Sequence, residues 1–336
     1  MSEGIATDKV NQWLGAHVKG FQSPAVFELI AGGRSNLTYR CEDAGGCIRV
    51  LRRPPLGHVL QSAHDVVREH RIISALKGST VPIPDTLGLC EDLTVNDVPF
   101  CVFEFVAGDV LHTAEDAQAL SPDIRQLLGR DVAEVLANLH LLDPDKVGLG
   151  ALGRKENYLQ RQLKRWSGQW EATKTHPIPA MEETFKLLNE KLPQQIGATI
   201  VHGDYRLGNM IVREGRIKAL LDWELCTLGD PLADVGYLLN SWEDAAPESV
   251  DLATVPATAA GGFIDQQTLC EIYQTRTGRS LENIAYYRAF SHWRLAAIGQ
   301  GVYKRYLMGA MGDEVDLEVY KASVSERAVA ALALLG

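Results

Sequence analysis

The chain has 336 residues, 46% of them apolar, and a formal charge of −10. That length and apolar content suffice for two packed lobes, and the acidic balance excludes a general nucleic-acid binder, because phosphate-backbone affinity needs a basic surface. No apolar run approaches the roughly 18 residues that span a bilayer, and the N-terminus is mixed and polar, unlike a cleaved leader. A cytoplasmic protein with no membrane partner is therefore expected. The six cysteines (Cys41, Cys47, Cys90, Cys101, Cys226, Cys270) have no C-x-x-C spacing, and several fall in apolar strands, so they read as reduced, buried thiols.

In chain order, Phe27 to Ile30 reads as a strand, Ala31 to Asn36 as a turn with Gly32 and Gly33, and Leu37 to Cys41 as the return strand. Cys47 to Arg52 follows as a third strand. Ser62 to Lys77 has helical spacing in Val66, Val67, Ile73 and Leu76, with Glu69 central. Pro99 to Gly108 reads as a buried strand ending at a glycine, which puts a lobe boundary at residue 107 and divides the chain into 1–107, with a leading helix, and 108–336.

The second lobe reads as mainly helical. Pro122 to Leu142 and Tyr158 to Trp170 are helices, and Ala198 to Val201 is a short buried strand. Met210 to Val212 and Lys218 to Leu221 form a hairpin turned by Arg213 to Arg216, with Gly215 supplying the turn. Asp230 caps a helix whose first position is Pro231 and whose apolar stripe is Leu232, Val235, Leu239 and Trp242. Residues 245–262 form a long loop rich in Ala, Pro and Gly, of the kind that covers active sites or stays mobile. Tyr286 to Arg305 is a further helical region.

The most informative stretch is His202-Gly203-Asp204-Tyr205-Arg206-Leu207-Gly208-Asn209, followed by Leu221-Asp222-Trp223-Glu224. An Asp five residues before an Asn, with a second acid on the next apolar segment, is the layout of a phosphoryl-transfer site. Asp204 orients or deprotonates a hydroxyl, while Asn209 and Asp222 hold Mg²⁺ against nucleotide phosphates. The protein-kinase catalytic loop has the same interval. Here Gly203 replaces its Arg, so the switch that reads a phosphorylated activation loop is missing. Both ligands would meet at one end of the hairpin, and one carboxylate with one amide carbonyl suits a cation that keeps waters or phosphate oxygens. His202 reads as a structural loop residue. Glu224 is either a supporting carboxylate or a metal ligand, and Asp234 either braces the loop backbone or is a surface acid.

Such a site requires an upstream nucleotide lobe. The turn at Gly33, Ser35 and Asn36 either cradles phosphate through its backbone N–H groups or is an ordinary glycine-rich hairpin turn. In the third strand Val50 and Arg52 share a face, matching the offset at which kinase strands present an apolar residue and a cation to the nucleotide. On that offset Arg52 is chosen as the phosphate ligand, with Arg49 the rival, and an arginine stays charged and can grip phosphate bidentately. Glu69 either pairs with Arg52 or is a solvated helix charge. Phe103, Glu104, Phe105 and Val106 are the expected adenine contacts.

Residues 202–209, Asp222-Trp223-Glu224 and Gly229-Asp230-Pro231-Leu232-Ala233-Asp234 resemble the aminoglycoside phosphotransferase and choline kinase superfamily. The chain is most similar to its branch related to the kinase-like domain associated with acyl-CoA dehydrogenases, in which L-D-W-E-x-x-x-x-G-x-P-x-x-D recurs. Leu51 to Pro55 and Ala63 to Glu69 also look like that branch, and the resemblance runs from Trp13 to the C-terminal helices. It implies an α+β, bilobal protein-kinase-like fold with a small β-rich N-lobe and a larger helical C-lobe. It also implies a hydroxy acid or hydroxyacyl thioester as acceptor. Arg161, Arg165, Trp166, Tyr205, Trp223 and Trp293 either line an acceptor pocket for an anionic, partly apolar substrate or serve in packing and surface pairs. The function expected is a small-molecule kinase that moves the γ-phosphoryl of Mg²⁺-bound ATP or GTP to an alcohol. The alternative is a catalytically silent kinase-like nucleotide-binding or scaffold module.

Overall fold

The computed structural model describes residues 3–31, 36–56, 65–247, 249–309 and 316–336. The elements in order are α1 (Thr7–His17), β1 (Ala25–Ala31), β2 (Leu37–Asp43), β3 (Ile48–Arg53), α2 (Val66–Leu76), β4 (Thr86–Cys90), β5 (Phe100–Glu104), α3 (Ala114–Gln118), α4 (Pro122–Leu141), α5 (Tyr158–Thr173) and α6 (Pro179–Glu190). They continue with β6 (Thr199–Val201), β7 (Met210–Arg213), β8 (Arg216–Leu220), β9 (Thr227–Gly229), α7 (Leu232–Asn240), α8 (Gln266–Thr277), α9 (Ile284–Leu307) and α10 (Leu317–Ala333). The chain divides into two compact units: residues 1–110 with 209–225, and residues 111–208 with 226–336.

The first unit is built on a five-stranded antiparallel sheet of order β1-β2-β3-β5-β4. Strand alternation sorts its residues. Phe27, Tyr39, Cys41, Leu51, Phe100 and Val102 form one core with Val10 and Leu14 of α1. On β3 the buried positions are Arg49, Leu51 and Arg53, whereas Ile48, Val50 and Arg52 are half-buried on the other face. That face carries α2, where the Cys101 thiol reaches the Val66 carbonyl at 3.0 Å.

The β7–β8 hairpin belongs to this unit. Its strands run further than the sequence pattern suggested, leaving Glu214 (φ 55°) and Gly215 (φ 69°) as a two-residue turn with both residues left-handed. This is the geometry whose twist matches a hairpin. Leu220 N–H also donates to the Pro82 carbonyl at 2.9 Å, tying the hairpin to the segment before β4.

The second unit is helical, with β6 and β9 paired antiparallel beneath the helices. The helix α9, 24 residues long, packs against α5, α6, α7 and α10. Ser121 caps α4 ahead of Pro122, and Asp265 and Asp316 cap α8 and α10. The start of α7 differs slightly from expectation. Pro231 is the residue flanking the helix, and Asp230 is completely buried, accepting from Leu232 N–H (3.1 Å), Ile196 N–H (3.1 Å) and the Tyr287 hydroxyl (2.8 Å).

One expectation is corrected here. Cys47 is exposed and Cys270 half-buried, so only Cys41, Cys90, Cys101 and Cys226 are buried thiols. The loop over 245–262 is fastened. Arg125 donates to the carbonyls of Ala260 (2.6 Å) and Gly261 (2.7 Å), Ala114 N–H donates to Val255 (3.0 Å), and Thr113 and Pro256 form a β-bridge.

Candidate active site

The first unit gathers a charged cluster on the α2 face of its sheet. Arg52 Nε lies 3.3 Å from Glu69 Oε2, and Glu69 is almost fully buried on α2. Neither atom has a well-aligned hydrogen bond, so the contact is one of charge. Burial pushes the Glu69 carboxyl up; Arg52 pulls it down, the negative charge of Asp222 pushes it up, and a hydrogen bond with the Asn36 side chain lowers it. Arg49 is committed elsewhere, donating to Asp43 at 2.7 Å. Val50 faces the same side as Arg52 and is paired in register with Phe103. Gly33 and Ser35 lie outside the described residues. Glu104 N–H donates to the Asp85 carbonyl at 2.9 Å, Phe105 is 37% exposed, and Val106 is half-buried.

The hairpin supplies the oxygen ligands of that unit. Register pairs Met210 with Leu220, and the Leu221 N–H donates to the Asn209 carbonyl at 2.9 Å. Asn209 is buried, and Asp222, one residue past Leu221, stands in the left-handed region at φ 64°. Non-glycine residues rarely adopt that conformation, and Asp and Asn are enriched among those that do. Asp222 Oδ1 is buried with no hydrogen-bond partner, which is costly unless something else satisfies it. Trp223 anchors the turn through its indole N–H to the Leu220 carbonyl (3.1 Å), and Arg68 of α2 donates to the Glu224 carbonyl at 3.3 Å.

An orphaned carboxylate oxygen beside an amide makes a hard-oxygen donor set, which fits Mg²⁺. Among the described residues no three His, Cys, Asp or Glu side chains form a metal cage, so such a cation would complete its shell from water or phosphate.

The second unit builds the Asp204 loop. Asp234 is buried on α7 and accepts the backbone N–H groups of His202 (2.6 Å) and Gly203 (2.8 Å). It therefore braces the loop rather than sitting on the surface. Gly203 has φ 87°, a conformation glycine adopts without strain. His140 Nε2 lies 3.3 Å from Asp234, and His140 Nδ1 is 2.8 Å from the Tyr273 hydroxyl. A carboxylate only accepts, so Nε2 carries the proton and Nδ1 accepts from Tyr273. Burial favours a protonated Asp234, but the hydrogen bond and charge of His140, with His202 and the Gly203 N–H, hold it below the usual range. At His140 burial pushes the pKa down and the Asp234 carboxylate pulls it up, and burial prevails. His202 Nδ1 accepts from the Asp204 N–H at 3.2 Å.

Asp204 keeps a fifth of its side chain exposed and has two named neighbours at Oδ1. The Tyr237 hydroxyl donates to it, and Arg206 Nε lies 3.6 Å away. A cavity of about 30 Å³ adjoins the loop, lined by Leu111, His112, Arg206, Leu207, Gly208, Ser241, Trp242, Pro256 and Ala257. The Arg206 guanidinium and the His112 imidazole both crowd the point where a Gly208 Cβ would stand.

The six expected acceptor residues are not brought together at an open surface. Trp166, Tyr205, Trp223 and Trp293 are core side chains whose polar atoms are satisfied. Trp166 donates to Gln162 (2.9 Å), Tyr205 to the Val132 carbonyl (2.8 Å), and Trp293 to the Met181 carbonyl (3.2 Å) while stacking on Phe185. Arg161 donates to the Arg154 carbonyl at 2.6 Å, and Arg165 lies over the Trp166 ring. The residues missed were Tyr237, Arg206 and His112. Tyr237 was signalled by its place three residues after Asp234, which puts both on one helical face.

A five-stranded sheet with an Arg–Glu pair, an Asn/Asp hairpin and a braced acid loop in a helical unit define a protein-kinase-like α+β fold. The chain belongs to the phosphotransferase enzyme family (APH), whose signature matches residues 26–264. It is 35% identical over 311 residues to acyl-CoA dehydrogenase family member 10 of Mus musculus, covering 88% of this chain but only 28% of that protein. A solved structure from Ralstonia eutropha JMP134, provisionally named an aminoglycoside phosphotransferase, superimposes with a TM-score of 0.83 at 34% identity, covering 98% of both chains. A thermostable mutant of aminoglycoside phosphotransferase APH(4)-Ia, in a ternary complex with AMP-PNP and hygromycin B, shares the fold at a TM-score of 0.61 and 18% identity, covering 97% of this chain and 98% of that one.

Proposed function

We propose that the protein is a kinase of small hydroxylated metabolites, transferring the γ-phosphoryl of Mg²⁺-bound ATP or GTP to an alcohol. The observation that carries this reading is Asp222, a buried carboxylate held at φ 64° with an unpartnered oxygen. Nothing in packing alone rewards that arrangement, whereas a cation would. Asn209 and Asp222 would hold Mg²⁺, which when bound neutralises charge on the β- and γ-phosphates. Arg52, kept in place by Glu69, would grip the phosphates, and Phe103 to Val106 would receive the base. Family membership and a relative solved with an ATP analogue support the nucleotide assignment.

Asp204 would orient the acceptor hydroxyl and take its proton. The acceptor oxygen forms a bond to the γ-phosphorus, the bond from that phosphorus to the β-phosphate oxygen breaks, and the nucleoside diphosphate leaves. Likeness to the acyl-CoA dehydrogenase-associated branch favours a hydroxy acid or hydroxyacyl thioester as acceptor, and the half-buried Arg206 guanidinium near Asp204 is compatible with an anion. The lobes proposed, 1–107 and 108–336, assign the nucleotide to the first and the acceptor to the second.

The test is thermal shift with Mg²⁺ plus ATP, GTP or ADP, with Asp222→Asn in parallel. Ligand at 100 times its Kd adds about 2.7 kcal/mol. A Mg²⁺-dependent shift that vanishes in the variant supports the reading, and a screen of hydroxy acids and hydroxyacyl thioesters for ADP or GDP release follows. Absence of a shift with every nucleotide overturns it.

A further inference from the structure

We propose that Tyr237 is a positioning residue that sets the Asp204 carboxylate for transfer, with Arg294 holding both in place. This inference rests on the kinase reading above. Two contacts reach residues 203–204, and a third joins the groups that make them. The Tyr237 hydroxyl donates to Asp204 Oδ1. Arg294 of α9, itself buried, donates from Nη2 to the Gly203 carbonyl at 2.8 Å. The same guanidinium lies 5.3 Å from the centre of the Tyr237 ring, in cation–π range. One arginine thus pins the backbone before Asp204 and the ring that holds its side chain.

The energetics favour a fixed carboxylate. The phenol is buried, and burial and then the charge of Asp204 push its pKa up, so it stays protonated and can only donate to the carboxylate. A hydrogen bond to a charged group in a dry site is among the stronger kinds. The helix divides the labour along one face: Asp234 takes the loop's backbone N–H groups, and Tyr237, three residues on, takes the side chain. Without the hydroxyl, Arg206, whose Nε lies 3.6 Å from the same oxygen, can draw Asp204 aside. A base must lie within about 3 Å of the proton it accepts, and a displacement of about 1 Å can cost on the order of 100-fold.

The experiment uses the full chain with Mg²⁺-ATP, reading ADP release with water as the probe acceptor. Wild type and Tyr237→Phe are compared for kcat and for the KM of ATP. The expected result is a kcat lowered about 10- to 100-fold in Tyr237→Phe with the ATP KM unchanged, because the nucleotide ligands are untouched. Wild-type kcat in Tyr237→Phe overturns the proposal and leaves the kinase reading standing. No ADP release by wild type overturns that reading and this role together. Should Tyr237→Phe fold poorly, 3-fluorotyrosine at position 237 reports the contact by fluorine NMR. Its resonance should move in Asp204→Asn, and an unmoved resonance overturns the proposal.

Discussion

A methyl group placed on Gly236 would stand 2.7 Å from the carbonyl carbon of Tyr287, and also 2.9 Å from the Arg288 nitrogen. The helices α7 and α9 therefore meet backbone to backbone, which is how Asp234 and Tyr237 on one and Arg294 on the other reach the same loop. Gly236→Ala forces these helices apart, since backbone atoms cannot swing away as a side-chain end can. Overpacking of this kind costs about 1–3 kcal/mol. Urea unfolding should show that loss, and ADP release should fall by more than the Tm change alone explains. A variant with wild-type stability and turnover would show that the helix spacing is not critical.

Asp234 offers a second measurement in the same loop. Asp234→Ala strands the N–H groups of His202 and Gly203 and removes the partner of His140. Hydrogen bonds to a charged group are worth about 1.5–3 kcal/mol each, so a loss of roughly 3 kcal/mol or more is expected in denaturant unfolding. Asp234→Asn keeps one acceptor oxygen and should fall between the two. Equal stability of all three proteins would mean the loop is held by other contacts.

Much of this arrangement was legible in the residues, and the exceptions have physical causes. The hairpin and the Asp204 to Asn209 interval stood out because turn chemistry and metal ligation both depend on local spacing. Strand alternation puts Arg52 and Arg49 on opposite faces, and Glu69 lies on the Arg52 side. The acceptor side stayed open between pocket and packing because a tryptophan's burial is decided by tertiary packing. Trp166, Trp223 and Trp293 are equally at home in a pocket or in a core. Tyr237 shares a helical face with Asp234, but an aromatic inside a helix reads as packing until its hydroxyl's partner is known. The strand β9 was missed for want of length, having three residues and a partner, β6, that is distant in sequence.

Acid sensitivity follows from His140, which is buried, and His292, which is half-buried. Burial, with Arg327 and Arg288 nearby, pushes His292 down to about 4, and burial also lowers His140. Both folded values lie below the unfolded value of about 6.5, so below that pH the unfolded chain binds protons that the fold refuses. Their contribution is complete above about pH 6.5 and shrinks as pH falls, for His292 down to about 4. Glu69 and Asp230, pushed up by burial, act in the opposite sense. The isolating measurement is therefore the urea midpoint of wild type and His292→Gln at pH 7.5 and pH 5. The variant should lose less on acidification than wild type, and parallel losses would contradict the burial argument.

Asp222 allows the strain of the backbone to be separated from the chemistry of its side chain. At φ 64° an asparagine is nearly as well tolerated as an aspartate, whereas alanine pays about 1–2 kcal/mol for the left-handed conformation. Asp222→Asn also removes a buried charge that pushes against Glu69. Without ligand, that variant should be at least as stable as wild type, and Asp222→Ala about 1 kcal/mol less stable than Asp222→Asn. With Mg²⁺-ATP the order should reverse, because only wild type gains the stabilisation of bound nucleotide. A functional carboxylate kept at a cost to the fold predicts these opposite signs. If Asp222→Asn were destabilised without ligand, the carboxylate would be a structural group, and the case for its holding a cation would fall.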